Sequence, residues 1–562
     1  MITKRNEITN QGVQGNKNKI FSRIYPHQQR NKRCLSRMPI KTILLLLFPM
    51  ALFAQQKPAR MDEATRSGGD TTAIRFSQTI TAKDLKTHLT ILASDEYEGR
   101  ETGKRGQKMA AEYIQSNFKS FGIPPYKDNT YYQTYPLNMM MPVPADIMIN
   151  EKKYTGNQDY YNFPGISEQT VLTANVLFIG YGIEDENYND YKGVDVKNKV
   201  VMFLQGEPYD ASGNSYITKS KAPSVWTLRA RGKAENAKDA GASAILVVVD
   251  DVKKGIADNK HRLESSSLKL DISKKEAPVI YISKEMANSI LKKNTTEEII
   301  AKISKSGKPL KIKAKANVVI DVKNNVQKIE AENVLGYIEG TDLKDEVIVI
   351  TAHYDHLGKE GDVVYNGADD DGSGTVAVME LAQAFANAKK EGKGPRRSIL
   401  FMPVSGEEKG LLGSAYYTEN PVFPLKNTVC DLNIDMIGRL DEKHANNTNY
   451  VYLIGSDKLS SQLHRISENA NKTYSNLELD YTFNDEKDKN RFYYRSDHYN
   501  FAKKGIPVIF YFNGVHADYH KETDETEKIN FEKIEKITRL VFFTAWELAN
   551  RNERIVVDSN KK

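Results

Sequence analysis

The stretch from Val347 to Gly438 constrains this chain more than any other. It reads VIVITAHYDHLG, then NGADDDGSGT, then ILFMPVSGEEKGLLGS, then LNIDMIG. Apolar runs stop abruptly at histidines or carboxylates, the pattern of buried strands that deliver polar groups to one edge of a sheet. Burial alone gives no reason to put an Asp or a Glu pair at each strand end. A divalent cation does, because its charge offsets the cost of gathering carboxylates.

Strands alternate with helices around this stretch. Glu332–Gly340 is an apolar strand before a tight turn, and helices at 374–388 and 411–418 separate the runs above. Strands at 450–454 and 507–512 and a helix at 459–470 precede a last helix at 531–550. The alternation predicts an α/β fold, a mostly parallel or mixed sheet sandwiched by helices, with ligands at the carboxyl ends of the strands. The whole of 322–555 is read as this domain, and 79–144 as its first part. There, Thr81 starts a helix, 94–106 is a loop, a helix at 109–121 stops at Gly122 and Pro124, and 131–137 is a strand. From 145 to 321 the character changes. Strands at 175–182, 199–206, 242–250 and 277–283, with one good helix at 228–240, predict a small β-rich insert with few helices. Its Lys-rich stretches, such as Lys292–Lys293, are read as solvated faces. Residues 55–78 are read as a flexible leader.

The formal charge of +7 points toward anionic partners only at first sight. Ten of the 80 Lys and Arg, but one of the 73 Asp and Glu, fall in residues 1–54, so the remainder carries about −2. Nucleic acid is therefore not expected as a partner. Residues 1–54 read as a signal segment: Arg37 and Lys41 flank Met38, the apolar core is Ile43–Ala54, and cleavage is expected near Ala54. Met38 is read as the start. The apolar run is too short for a stable membrane span, so the mature chain is expected to be periplasmic or secreted. Cys34 would leave with the signal, and Cys430 sits in an apolar context as a small buried residue.

Each candidate ligand has a bland alternative. His353 ends VIVITAH, and Asp355 is well placed to accept its second ring N–H, as carboxylates commonly do for zinc-bound histidines. Asp369, Asp370 and Asp371 precede a helix and could simply cap it. Glu407 and Glu408 can divide labour, one holding metal and the other accepting a proton from the attacking water. Asp435, between Ile434 and Met436, is expected to be buried and to need a cation or a hydrogen-bond shell. A lone loop histidine such as His520 is more often a surface residue. Together, two histidines and three carboxylates at strand ends are the donor set two neighbouring Zn²⁺ ions require.

These residues resemble the co-catalytic di-zinc aminopeptidases. The motifs that carry the resemblance are AHYDHLG, GADDDGSG, GEEKGLLGS, NIDMIG, RSDH at 495–498 and DYHKETD at 518–524. They span about 80–140 and 330–550, and 145–321 resembles the protease-associated insert of many members. The resemblance implies a zinc-peptidase fold and an exopeptidase that releases N-terminal residues from peptides with two Zn²⁺ per chain. It implies that His353 and Asp435 hold one zinc, Glu408 and His520 the other, and Asp370 bridges both. The peptide after such an Asp is often cis in relatives. Glu407 would be the general base, and Tyr519 would polarise the scissile carbonyl. Arg495 and Asp497 would line the pocket for the substrate's amino end. His516 is a rival ligand to His520. A carboxypeptidase, a glutaminyl cyclase, or a receptor or scaffold without activity are the alternative readings.

Overall fold

The computed structural model describes residues 69–559, apart from 128 and 229. The signal segment read at 1–54, and the part of the leader before 69, lie outside the described residues.

Seven strands form the sheet that carries the candidate site: β1 (Gly336–Ile338), β2 (Leu343–His353), β3 (Arg397–Val404), β4 (Thr428–Ile434), β5 (Tyr450–Ile454), β6 (Glu478–Asp480) and β7 (Val508–Phe512). Their spatial order is β1-β3-β2-β4-β7-β5-β6. The central β3, β2, β4 and β7 run parallel, whereas β1 and the β5–β6 pair lie antiparallel to their neighbours β3 and β7. The sheet is therefore mixed with a parallel centre. Every residue of β3, β4, β5 and β7 is buried, as expected for strands covered on both faces.

Alternation along β2 distributes the core. Ile348 and Ile350 point into the larger cluster, with the helices Ala82–Leu92, Gly374–Lys390 and Phe531–Asn550. Val347 and Val349 point into the opposite one, with Tyr417 and Phe501 from the helices Leu412–Glu419 and His498–Lys503. Period-two side-chain direction makes one strand serve both layers. Register then aligns the strand ends: His353 pairs with Val404, Thr351 with Asn433, and Asn433 with Phe510. The residues just beyond β2, β3, β4 and β7 consequently emerge along one edge.

A second sheet of eight strands lies within 146–322. Its centre, Gln169–Ile179, Val200–Leu204, Ala244–Val248 and Val279–Ile282, is parallel. The chain enters and leaves this region through the antiparallel strands Tyr132–Met140 and Val326–Val334, with Tyr132 opposite Val334 and Met140 opposite Val326.

Three expectations need correction. The insert is not poor in helix: beyond Val225–Leu228 and Ala230–Asp239 it carries Val252–Asp258, Lys260–Glu264, Lys284–Leu291 and Thr296–Ser306. Thr295 and Glu298 form a reciprocal capping box on the last of these, a local signal that the lysine-rich composition obscured. Residues 71–77 of the supposed leader are a helix capped by Asp70, with Ala73 and Phe76 in the main core. The loop at 94–106 contains a turn at Asp95–Arg100 and ends early, because the next helix begins at Arg105.

Candidate metal centre

Asp370 sits at the middle of the strand-end cluster. One carboxylate oxygen lies 3.3 Å from His353 Nε2 and the other 3.0 Å from His520 Nε2. On the His353 side, Asp435 Oδ1 is 3.7 Å from Nε2. On the His520 side, Glu408 Oε2 is 3.3 Å from Nε2. The five expected ligands thus converge as two sets sharing Asp370. Glu407 flanks the first set, with Oε2 3.9 Å from His353 Nε2.

The charge balance of this cluster is its main chemical property. Asp370, Glu407, Glu408 and Asp435 crowd the imidazoles of His353, His356 and His520, and none of the four forms an ion pair with Lys or Arg among the described residues. Burial opposes a charged His353, yet Glu407, Asp435 and Asp370 outweigh it and hold its pKa well above the ordinary histidine value. His520 follows the same pattern, with burial opposed by Asp370 and Glu408, and is pushed up to about 10. Burial pushes the Glu407 carboxyl well up, opposed by His353 and reinforced by Glu408 and Asp435. Asp370 Oδ2 and Glu408 Oε1 are buried and make no well-aligned hydrogen bond, although imidazole nitrogens of His520 and His356 lie 3.0 and 2.9 Å away. Buried carboxylate oxygens without a well-aligned hydrogen bond, imidazole nitrogens beside them and uncompensated negative charge fit bound divalent metal.

The three consecutive aspartates divide their work. Asp371 caps the helix Gly374–Lys390 by accepting from Gly374 N at 2.9 Å, and it also accepts from Met436 N and His353 N. Asp369 accepts from Gly438 N at 2.6 Å. Asp370 alone faces both imidazoles, and the Asp370–Asp371 peptide is cis. The amides of Asp369 and Asp370 donate to Asp524 Oδ2 at 3.0 and 3.1 Å. The cap falls to Asp371 and the position between the two imidazoles to the adjacent Asp370.

The remaining candidates separate. His353 Nδ1 lies 3.0 Å from the Asp355 carbonyl oxygen and 3.8 Å from its carboxylate. The main chain of Asp355, rather than its side chain, therefore makes the orienting contact. The carboxylate instead accepts from Thr102 Oγ1 at 2.6 Å and Glu407 N at 3.2 Å. Asp497 does not line the pocket. It is fully buried and accepts from Ser414 Oγ, and burial raises its pKa to about 7. Its neighbour Ser496 has the functional contact, donating to Asp435 Oδ2 at 2.6 Å while accepting from Asn433 Nδ2 at 2.7 Å. His516 belongs to the outer network, with Nε2 3.2 Å from Asp369 Oδ2 and Nδ1 accepting from Asp518 N. Tyr519 stacks on His520 at 3.9 Å, and its hydroxyl receives Arg495 Nη2 at 3.1 Å. Both line the cleft together with Met436, Phe492, Phe510, Phe512 and Val515.

Three site residues escaped the sequence reading. His356, in AHYDHLG just past the end of β2, is fully buried with Nδ1 2.9 Å from Glu408 Oε1 and 4.0 Å from Asp370 Oδ2. It forms a second possible donor trio with those two carboxylates. A Cβ on Gly367, whose φ is +54°, would stand 2.4 Å from its ring, so glycine is required there. Arg100 is buried and donates to the carbonyls of Tyr354, Leu92, Asn366 and Gly367 at 2.6–3.0 Å. It ties the loop after β2 to the loop before Asp370. Thr102, in the same EGRETG stretch, fixes Asp355 as described. The doubled histidine in HYDH and the polar run EGRETG were the available signals.

Fold and donor set together define a metal-dependent hydrolase. Residues 333–545 match the model of Peptidase family M28. Aminopeptidase YwaD of Bacillus subtilis is 25% identical over 396 residues, covering 69% of this chain and 70% of the relative. A probable zinc metalloprotease of Pyrenophora teres f. teres is 27% identical over 308 residues, which cover 44% of this chain and 60% of that protein. The structure of an aminopeptidase from Aneurinibacillus sp. strain AM-1 superposes with a TM-score of 0.51 at 18% identity, over 87% of this chain and 99% of that one, which supports the fold. The match to peptidase family M28 is confined to residues 333–545, the part that carries the candidate centre.

Proposed function

We propose that this chain is an exported aminopeptidase that uses two Zn²⁺ ions, with Glu407 as general base. The observation that carries the proposal is Asp370, whose two oxygens each face a different histidine. His353, Asp435 and Asp370 would hold one ion, and His520, Glu408 and Asp370 the other. Zinc bound there supplies positive charge that polarises a scissile carbonyl and acidifies water. Glu407 flanks the first set and is needed as a ligand by neither, so it is free to take a proton from the attacking water and return it to the leaving amine. The Tyr519 hydroxyl, with Arg495 behind it, is oriented to donate to a developing oxyanion. Asp435 and Glu407 present negative charge to a substrate α-ammonium, which restricts cleavage to free N-termini. Met436, Phe492, Phe510, Phe512 and Val515 form an apolar wall of the cleft against which the substrate would pack.

The presence of all five ligands and the base argues against a scaffold that has lost its ions. The 146–322 region is proposed as a protease-associated module, on its separate sheet and its paired entry and exit strands. Export is proposed from the basic and apolar residues before Ala54. The decisive experiment assays leucyl-coumarylamide and its N-acetylated form, with chelator and with added Zn²⁺. Zinc-dependent release from the free amine alone is expected. Equal cleavage of the blocked substrate would refute the exopeptidase assignment.

A further inference from the structure

We propose that Arg495 is a carboxylate-binding element of the substrate cleft, so that this enzyme favours peptides bearing a carboxylate near the scissile bond. The inference rests on the aminopeptidase reading above and names a substrate class for it.

Arg495 is the only Lys or Arg among the residues that line the cleft. Its guanidinium forms no ion pair with a carboxylate among the described residues. Its position is set from two sides: Nη2 donates to the Tyr519 hydroxyl at 3.1 Å, and Cζ lies 4.8 Å from the centroid of the Phe492 ring. Stacking on an aromatic face and one hydrogen bond orient the planar fork, and no other hydrogen bond engages its N–H groups among the described residues. The carboxylates lining the cleft are already engaged, since Asp370 and Asp435 face the imidazoles and Glu407 flanks them. A guanidinium repels the α-ammonium of a peptide, so the side chain of Arg495 is an unfavourable partner for the amino end that the family resemblance assigns to this residue. What a fixed, unpaired fork beside a hydrolytic centre matches is a planar anion, and the anion a peptide carries is a carboxylate. Two sources share that chemistry: the side chain of an N-terminal Asp or Glu, and the α-carboxylate of a dipeptide.

The test compares zinc-loaded wild type, Arg495→Gln and Arg495→Glu on four substrates: glutamyl- and leucyl-coumarylamide, and Leu-Gly with its C-terminal amide. Two kcat/KM ratios are read, acidic over neutral first residue and free acid over amide. Because the site is open to water, the charge-assisted contact should be worth about tenfold in one ratio, lost in Arg495→Gln and exceeded in Arg495→Glu, where repulsion adds. A fall in the first ratio assigns the side-chain carboxylate, and a fall in the second the terminal one. Both ratios staying within about twofold in both variants overturns the proposal. Failure of the zinc-loaded wild type to cleave any of the four removes the aminopeptidase reading, and this inference with it.

Discussion

Replacing Arg100 by methionine tests whether the cleft is held together from a loop that contributes no ligand. The guanidinium is 1% exposed and donates to the carbonyls of Tyr354, Leu92, Asn366 and Gly367. Burial lowers its pKa to about 10, with Asp355, Asp370 and Asp371 opposing, so it stays charged at neutral pH. Each carbonyl left buried without a donor costs about 1–3 kcal/mol. Omitting the buried cation returns several kcal/mol of desolvation, which leaves a net loss of about 3–5 kcal/mol. Tyr354 lies between His353 and Asp355, and Gly367 lies three residues before Asp370. The damage should therefore reach the metal donors, with zinc affinity lowered by about 10–100-fold, the range for partners that orient ligands. Urea unfolding at fixed free zinc reads the first quantity, and competition with a chromophoric chelator reads the second. Arg100→Lys should fall between, since an ammonium cannot reach four carbonyls spread around a planar fork. A loss below about 1 kcal/mol with unchanged zinc affinity would refute the reasoning.

Glu407→Gln should bind two zinc ions per chain yet lose about 10²–10⁴ in kcat, measured as steady-state turnover beside metal analysis. His520→Ala should reduce the tightly bound zinc while His353 and Asp435 retain the other ion, read by mass-spectrometric metal content. Ser496→Ala removes the donor to Asp435 Oδ2 and should weaken zinc binding by about tenfold, and an unchanged chelator competition curve would count against that. Burial raises Glu380 from 4.5 to about 8, with Asp84 adding to it and His88 Nε2 3.5 Å from the carboxylate. A raised folded pKa means that its contribution is complete below pH 4.5 and is lost as pH rises through 8, so Glu380→Gln should flatten the decline in stability across that window, as followed by urea midpoints.

The five converging side chains were legible because each stands directly after an apolar run or inside a short dense motif. His353 closes β2, and Asp435 follows β4 by one residue. Parallel pairing makes such positions neighbours without any knowledge of the loops between them. Arg100 had no comparable signature. Apart from Leu92, its acceptors are main-chain atoms more than 250 residues away, and any residue type can supply a carbonyl. Ser496 and Asp497 show a finer limit. Adjacent residues at the start of a helical turn point to opposite sides, and the sequence order does not say which one meets Asp435. The helices Lys284–Leu291 and Thr296–Ser306 were missed although their apolar residues fall at helical spacing, because both are short and the Lys292–Lys293 pair between them reads as a solvated loop.

Met140 and Val326 face each other across an antiparallel ribbon, so their α-carbons are separated by the roughly 4.5–5.5 Å of cross-strand neighbours. A two-residue reverse turn such as Asn-Gly bridges that gap. Residues 141–325 are thus spliced into a hairpin, and their strand Ser267–Lys269 pairs back onto Asn138–Met140, so an exchange of the insert would have to keep that third strand while the strands of the candidate centre hold their own register.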